Sequence, residues 1–536
     1  MKHLHSLRLT ILLATALTGC GSGSDSATGT GPTTPPSGAW LTLSPARLTA
    51  TAHPDESIYV QLQAEVGEFP DVDADSDTPE VRVGIFDATG TFQERVSTLS
   101  VNPDEEHPRY TVTMTTTPQA ETGVRTGTLE IRVCQDDPMV CSKPYPGSPW
   151  HLPFQILIER GNLSGLTTVP GLGPWVTFQG NAAHTGHAPA SFSASRFNHR
   201  WARFGHYGSA DISPSIAVSD GMLIVTQGNR VRALDADTGE TLWQTSLPVP
   251  ARSFPAQTNP PAITNGKVYV TTTGYEENSF MWVLDQKTGA VLKQSAMSSQ
   301  WGRYLAPTPY GRGIYTESGY YGGMTKFDVV SDEQRWEVGR AQTDQWTPAV
   351  DDNHVYTHIG SWLIAANPED GETAFSIADP ATPFADFSTP GAPVIVSDSQ
   401  VCYQKGLITP RLICMDTAGR KVAWFIANDS MVPPAAANGA LYTRTRTGLD
   451  ARRASDGALL WSYPIDKSQY HVLNSDPAVV TDNLVIFSTA SQVQAIDLNT
   501  REAVWTYPQS GSLTISEQGV LYILSRTGTL VAINLQ

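Results

Sequence analysis

An all-β architecture, an eight-bladed β-propeller preceded by a small β-sandwich, is predicted by three features of the sequence. A local pattern recurs about every 43 residues from position 175 to the carboxyl terminus, the spacing of a four-stranded propeller blade. Residues 40 to 160 alternate apolar and polar side chains with a period of two, as half-buried strands do. Turn formers are abundant, with 44 Gly and 38 Pro. Charged residues make up only 16% of the chain and the formal charge is −17, which excludes an electrostatic nucleic-acid binder and a disordered acidic tail.

The amino terminus, MKHLHSLRLTILLATALTGC, places Lys2 and Arg8 before the apolar run Leu9 to Leu17. That run has signal-peptide length and falls short of the ~20 residues needed to span a bilayer. Leu17-Thr18-Gly19-Cys20 resembles the lipobox of bacterial lipoproteins, which implies cleavage after residue 19, acylation of Cys20 and a durable lipid anchor. By the same resemblance Gly21 carries no inner-membrane retention signal, so attachment to the outer membrane is expected. Residues 20–38, rich in Gly, Ser, Thr and Pro, then form a flexible tether.

Residues 39–160 form the sandwich. Leu129, Ile131 and Val133 alternate with Glu130 and Arg132, and Phe154, Ile156 and Ile158 form a second inward-facing row. Turn sequences such as DATG and QDDP separate the strands, and the pattern resembles a bacterial immunoglobulin-like domain. In DVDADSDTPE, Asp71, Asp73, Asp75 and Asp77 match the start of an EF-hand loop. Ser76 and Arg82 then stand where glycine and glutamate are required, so the stretch reads as a solvated acidic loop. In an exported chain, Cys134 with Cys141 and Cys402 with Cys414 are expected as two disulfides. Cys402 and Cys414 are symmetric about Ile408, which a hairpin turning there would bring opposite each other.

Residues 161–174 read as a linker, and the repeats fill 175–536. The pattern is ALDADTGETLW, VLDQKTGAVLK, KFDVVSDEQRW, AANPEDGETAF, CMDTAGRKVAW, ARRASDGALLW, AIDLNTREAVW and a truncated VAINLQ. Asp235 and Asp497 open tight turns by bonding their own backbone, and Gly239 supplies a positive φ. Eight residues on, Trp243, Trp336, Trp424, Trp461 and Trp505 are expected to pack between blades. The eighth repeat lacks its last strand, whereas FNHRWAR, with Trp201, has no preceding repeat. The two fragments are expected to join and close the ring.

The pattern A-x-D-x-x-T-G-x-x-x-W and the segment WVTFQGNAAHTGHAP resemble the pyrroloquinoline-quinone repeat family of propellers. That resemblance implies either of two functions. Quinoprotein dehydrogenases in the family bind the quinone and calcium beside an adjacent Cys-Cys pair, with long insertions around the active site. Non-catalytic lipoproteins, including one of the outer-membrane β-barrel assembly machinery, have compact repeats. This chain has no adjacent cysteines and about 45 residues per repeat, so the non-catalytic group is expected.

No nucleophile elbow, zincin motif or phosphate loop is present. His354 and His358 would lie about 13 Å apart on a strand, too far to share a zinc, and His184 and His187 read as structural loop residues. No catalytic residue, metal or cofactor is assigned. A ligand rim is expected where the innermost strands begin, at Asp211, Ser213, Thr258, Asn259, Tyr304, Gln345, Trp346, Asn474 and Asp476. The chain thus reads as a monomeric, lipid-anchored scaffold whose partner is an envelope protein or peptide. A quinoprotein dehydrogenase or a carbohydrate-binding adhesin is the alternative.

Overall fold

The computed structural model describes Leu7–Thr10 and most of the chain from residue 41 on. Outside the described residues lie 1–6, 11–40, 67–79, 101–110, 205–214, 249–256, 274–278, 300–303, 341–345, 360–361, 381–391, 406–409, 466–475 and a few isolated positions. Cys20, the tether and the acidic stretch at 71–77 therefore fall outside them. The chain divides into two compact units, Met1–Gly161 and Asn162–Gln536. No helix of the described residues is long and apolar enough to cross a membrane.

In the first unit a five-stranded sheet has the spatial order Leu48–Ala52, Trp150–Ile158, Gly123–Cys134, Glu80–Asp87, Arg95–Ser100. Its first pair is parallel and the others are antiparallel. Leu129, Ile131, Val133, Phe154, Ile156 and Ile158 all point into one core, as their alternation predicts. In the DATG turn the Asp87 carboxylate accepts hydrogen bonds from the Thr89, Thr91 and Phe92 amides. Cys134 and Cys141 are bridged, so their sulfurs are spent as metal ligands beside Asp136.

The second unit contains, among the described residues, eight successive antiparallel sheets, seven of four strands and one of five. From the first sheet to the seventh the innermost strands meet their neighbours in order, Leu484–Ser488 of the seventh meets Ser512–Ile515 of the eighth, and the latter touches Ala217–Ser219 of the first, so the series returns on itself. Asn198–Phe204 pairs antiparallel with Thr529–Asn534, joining the two incomplete repeats into one sheet. Arg200, 2% exposed, locks the seam: its guanidinium donates to the carbonyls of Asp237, Asn162 and Ser164 and to the side chains of Asn534 and Asp237. The segment expected as a linker is tied to this unit, since the Val169 amide donates to the Glu517 carbonyl and Leu166, Val169 and Leu172 pack on its core.

The repeat motif is a turn and a joint at once. The Asp235 carboxylate accepts from the Asp237 and Thr238 amides, and Asp285, Asp328 and Asp497 repeat the arrangement. Each closing strand begins with a bulge, the extra residue falling just before the aromatic position. The Trp243 indole donates to Gln286, Trp336 to Pro368, Trp424 to Ala454 and Trp201 to Ala236, in each case a carbonyl of the following sheet. The same four rings lie against Gly289, Gly371, Gly457 and Gly239, where any Cβ would come within 3.0 Å of ring carbon. Glycine is thus needed both for its positive φ and for the ring of the preceding repeat. Where the preceding residue is Lys293 or Phe375 instead of tryptophan, the turn carries Asp332 or Arg420, and the Arg420 guanidinium lies over the Phe375 ring. Trp461 precedes Arg501 and breaks the pairing; nothing in the structure explains why. Cys402 faces Cys414 directly across a hairpin, and the two are bridged.

Candidate functional site

The inner ring of strands is occupied by the chain itself. Residues 175–188 run past seven of the eight sheets, bonding to each through the backbone or a short side chain. The Val218 amide of the first sheet donates to the Trp175 carbonyl, and the Ile263 amide of the second to Val176. In the fourth to seventh sheets the amides of Val350, Ile395, Ala436 and Val480 donate to Ala182, Ala183, Thr185 and Gly186, at 2.7–2.9 Å. In the third sheet the equivalent position is Pro309, which has no N–H to give. There Thr177 Oγ1 donates to the Pro307 carbonyl, and His184 Nε2 lies 3.0 Å from Thr308 Oγ1.

Local chemistry shapes this axial segment. The Asn181 side-chain oxygen accepts from the Ala183 and Thr185 amides, turning the chain back on itself. At Gly186, φ is +64° and a Cβ would stand 2.9 Å from the Ala478 carbonyl, so only glycine lets the backbones approach. His184 is fully buried. Its Nδ1 lies 3.2 Å from the Pro393 carbonyl, which can only accept, so Nδ1 carries the proton and Nε2 accepts from Thr308. Burial holds its pKa down to about 4, partly offset by the bond to Pro393. His184 therefore serves as a neutral strut between the third and fifth sheets.

Of the nine rim candidates, Asp211, Ser213, Gln345 and Asn474 lie outside the described residues. The other five are buried; four are hydrogen-bonded inward and Trp346 is held by packing. Thr258 Oγ1 donates to the Gly228 carbonyl, and Asn259 donates to Thr271 Oγ1 and accepts from the Tyr304 amide. Tyr304 Oη donates to Ser299 Oγ, and Trp346 packs with Tyr315, Trp336 and Val350 between two sheets. Asp476 accepts from Ser512 Oγ at 2.7 Å and lines a cavity beside Trp175, Phe178 and Gln179. His354 and His358 have different neighbours: His354 sits edge-on to Phe375, whereas His358 stacks on Tyr403 of the next sheet, and burial, then Lys405, lowers its pKa to about 3.

A bound quinone does not fit these residues. The inner-strand amides of six sheets are taken by carbonyls of the axial segment, and the cavity encloses about 30 Å³, roughly a tenth of a small-molecule pocket. The segment WVTFQGNAAHTGHAP stood out in the sequence for its resemblance, but its place along the ring did not, because most of its contacts use backbone carbonyls.

A family model described as outer membrane protein assembly factor BamB matches residues 194–301 and 282–536, well over half of the chain. The chain belongs to that family. The axial segment lies before the matched residues. A curated relative, the outer membrane protein assembly factor BamB of Moranella endobia (strain PCIT), is 24% identical over 143 residues, covering 23% of this chain and 37% of the relative. The match thus spans little more than a third of that relative's length. Among solved structures, BamB from Moraxella catarrhalis is 14% identical with a TM-score of 0.49, covering 63% of this chain and 98% of that one. A europium-containing methanol dehydrogenase is 12% identical with a TM-score of 0.51, covering 68% and 98%. The latter likeness shows the propeller fold, which an enzyme shares.

Proposed function

We propose that the protein is a non-catalytic scaffold of the cell envelope, anchored to the outer membrane through Cys20, that binds a protein or peptide partner in outer membrane protein assembly. The eight sheets are read as the eight blades of its propeller and residues 39–160 as an immunoglobulin-like spacer between anchor and ring. The observation that carries the reading is the axial segment: its carbonyls already satisfy the inner-strand amides of six sheets, which leaves partner recognition to the surfaces that the segment does not cover. The family match supports a role of this kind.

The test uses the full chain, tagged and cross-linked in intact cells. Specific capture of envelope assembly proteins is expected, together with incorporation of labelled palmitate that Cys20→Ala abolishes. Capture of nothing, combined with quinone-dependent oxidation of an alcohol with a dye acceptor, would refute the reading.

A further inference from the structure

The axial segment leaves one sheet uncovered. Among the described residues none of its groups bonds to Ser512–Ile515, the inner strand of the eighth sheet, and the cavity of about 30 Å³ opens at that gap. Its walls include Trp175, Phe178, Gln179, Ser215, Asp476 and Ser512.

Two of these walls present oxygen acceptors, and the hydroxyl of Ser512 is already spent on one of them. Gln179 Nε2 donates to the Pro434 carbonyl, which fixes the orientation of the amide, because a carbonyl accepts only. Gln179 Oε1 is buried and accepts from no group. Gln179 as a whole is 5% exposed, so this is an acceptor withdrawn from bulk water without a donor. Asp476, 4% exposed, brings a carboxylate to the same cavity, and Trp175 and Phe178 supply aromatic surface. An anion is excluded by Asp476. A guanidinium pairs best with both oxygens of a carboxylate, and Asp476 Oδ1 already accepts from Ser512 Oγ. A calcium ion requires six to eight oxygen ligands, and two of the walls are aromatic. What suits acceptors flanked by aromatic rings is an ammonium group on an apolar stem.

We propose that this cavity is a subsite for a primary ammonium group carried by the bound partner, either a lysine side chain or a chain amino terminus. The proposal rests on the partner-binding reading above and specifies the chemistry of one contact.

The full chain is labelled with 15N at its tryptophan indoles, and the Trp175 signal, assigned through Trp175→Phe, is followed during titration. The probes are Nα-acetyl-lysine amide for the side-chain amine, norleucine amide for the α-amine, Nα-acetyl-norleucine amide as the neutral control, and calcium chloride. A saturable shift with one or both amines and none with the neutral control is expected, and the two amines distinguish the sources. Asp476→Asn and Gln179→Met, each shown to be folded by circular dichroism, should weaken that binding about tenfold, as expected for loss of a charge-assisted contact. Equal binding of the neutral control, unchanged affinity in both folded variants, or saturation by calcium in place of the amines would overturn the proposal. A failed titration alongside successful cross-linking removes the ammonium subsite and leaves the scaffold reading intact.

Discussion

Replacing Gly371 with alanine separates the two demands that the repeat motif makes on its glycine. Gly371 has φ +76° and lies under Trp336; Gly439 has φ +74° and open space around it. Alanine at either position incurs the left-handed cost of about 1–2 kcal/mol. At 371 the new Cβ would also stand 2.7, 2.9 and 3.0 Å from three atoms of the Trp336 ring, well inside the 3.5–4.0 Å of an ordinary carbon contact. The ring cannot swing away freely, because its N–H donates to the Pro368 carbonyl at 3.1 Å and it packs against Tyr315. Overpacking of this kind costs about 1–3 kcal/mol more. Urea denaturation followed by tryptophan fluorescence should therefore show Gly371→Ala losing about 2–5 kcal/mol against about 1–2 for Gly439→Ala. On a Trp336→Leu background the excess at 371 should vanish. Equal losses at the two positions in the natural chain would refute the joint between tryptophan and the following glycine.

Acid should loosen the axial segment. The folded pKa of His184 is depressed from 6.5 to about 4, so its contribution is present above pH 6.5 and is lost as pH falls toward 4; a shift of that size corresponds to about 3 kcal/mol. The stability of His184→Gln, measured by denaturation from pH 7 to pH 4, should fall less steeply than that of the natural chain; parallel curves would count against the strut. Arg200→Met leaves the buried Asn534 Oδ1 without its donor and unties the partly buried carbonyls of the seam, and should cost about 1–3 kcal/mol in the same assay, whereas an unchanged denaturation midpoint would argue against the seam. Peptide mapping without reductant should recover 134 linked to 141 and 402 linked to 414. Replacing Cys402 and Cys414 together by serine should cost about 2–4 kcal/mol, and an unchanged denaturation midpoint would show that the bridge adds nothing.

What the sequence disclosed and what it hid divide along a physical line. The turn of each repeat is encoded by side chains, an Asp that bonds its own backbone, a Gly at positive φ and a Trp eight residues on, so periodicity alone exposed it. The core row of the first unit was legible for the same reason, since Leu129, Ile131 and Val133 sit on one face of a strand. The closing strand was legible as a missing piece, and the Cys402 bridge as a symmetric spacing. The axial segment was not, because its bonds to the ring are made mainly by main-chain carbonyls, which any residue supplies. The rim was misleading in a related way. Thr258, Asn259 and Tyr304 are polar and stand at strand openings, but their polarity is spent on one another and on nearby backbone. Gln179, whose side-chain oxygen is buried without a donor, lies in WVTFQGNAAHTGHAP, a segment that stood out for its resemblance and not for any ligand chemistry.

The central claim is that the inner strands of the ring are occupied by the chain's own axial segment. Its most direct test is a calorimetric titration of the folded full chain with pyrroloquinoline quinone in the presence of calcium. The structure predicts no saturable heat. One-to-one saturable binding would mean that the axial segment yields to the quinone, and would return the dehydrogenase reading to first place.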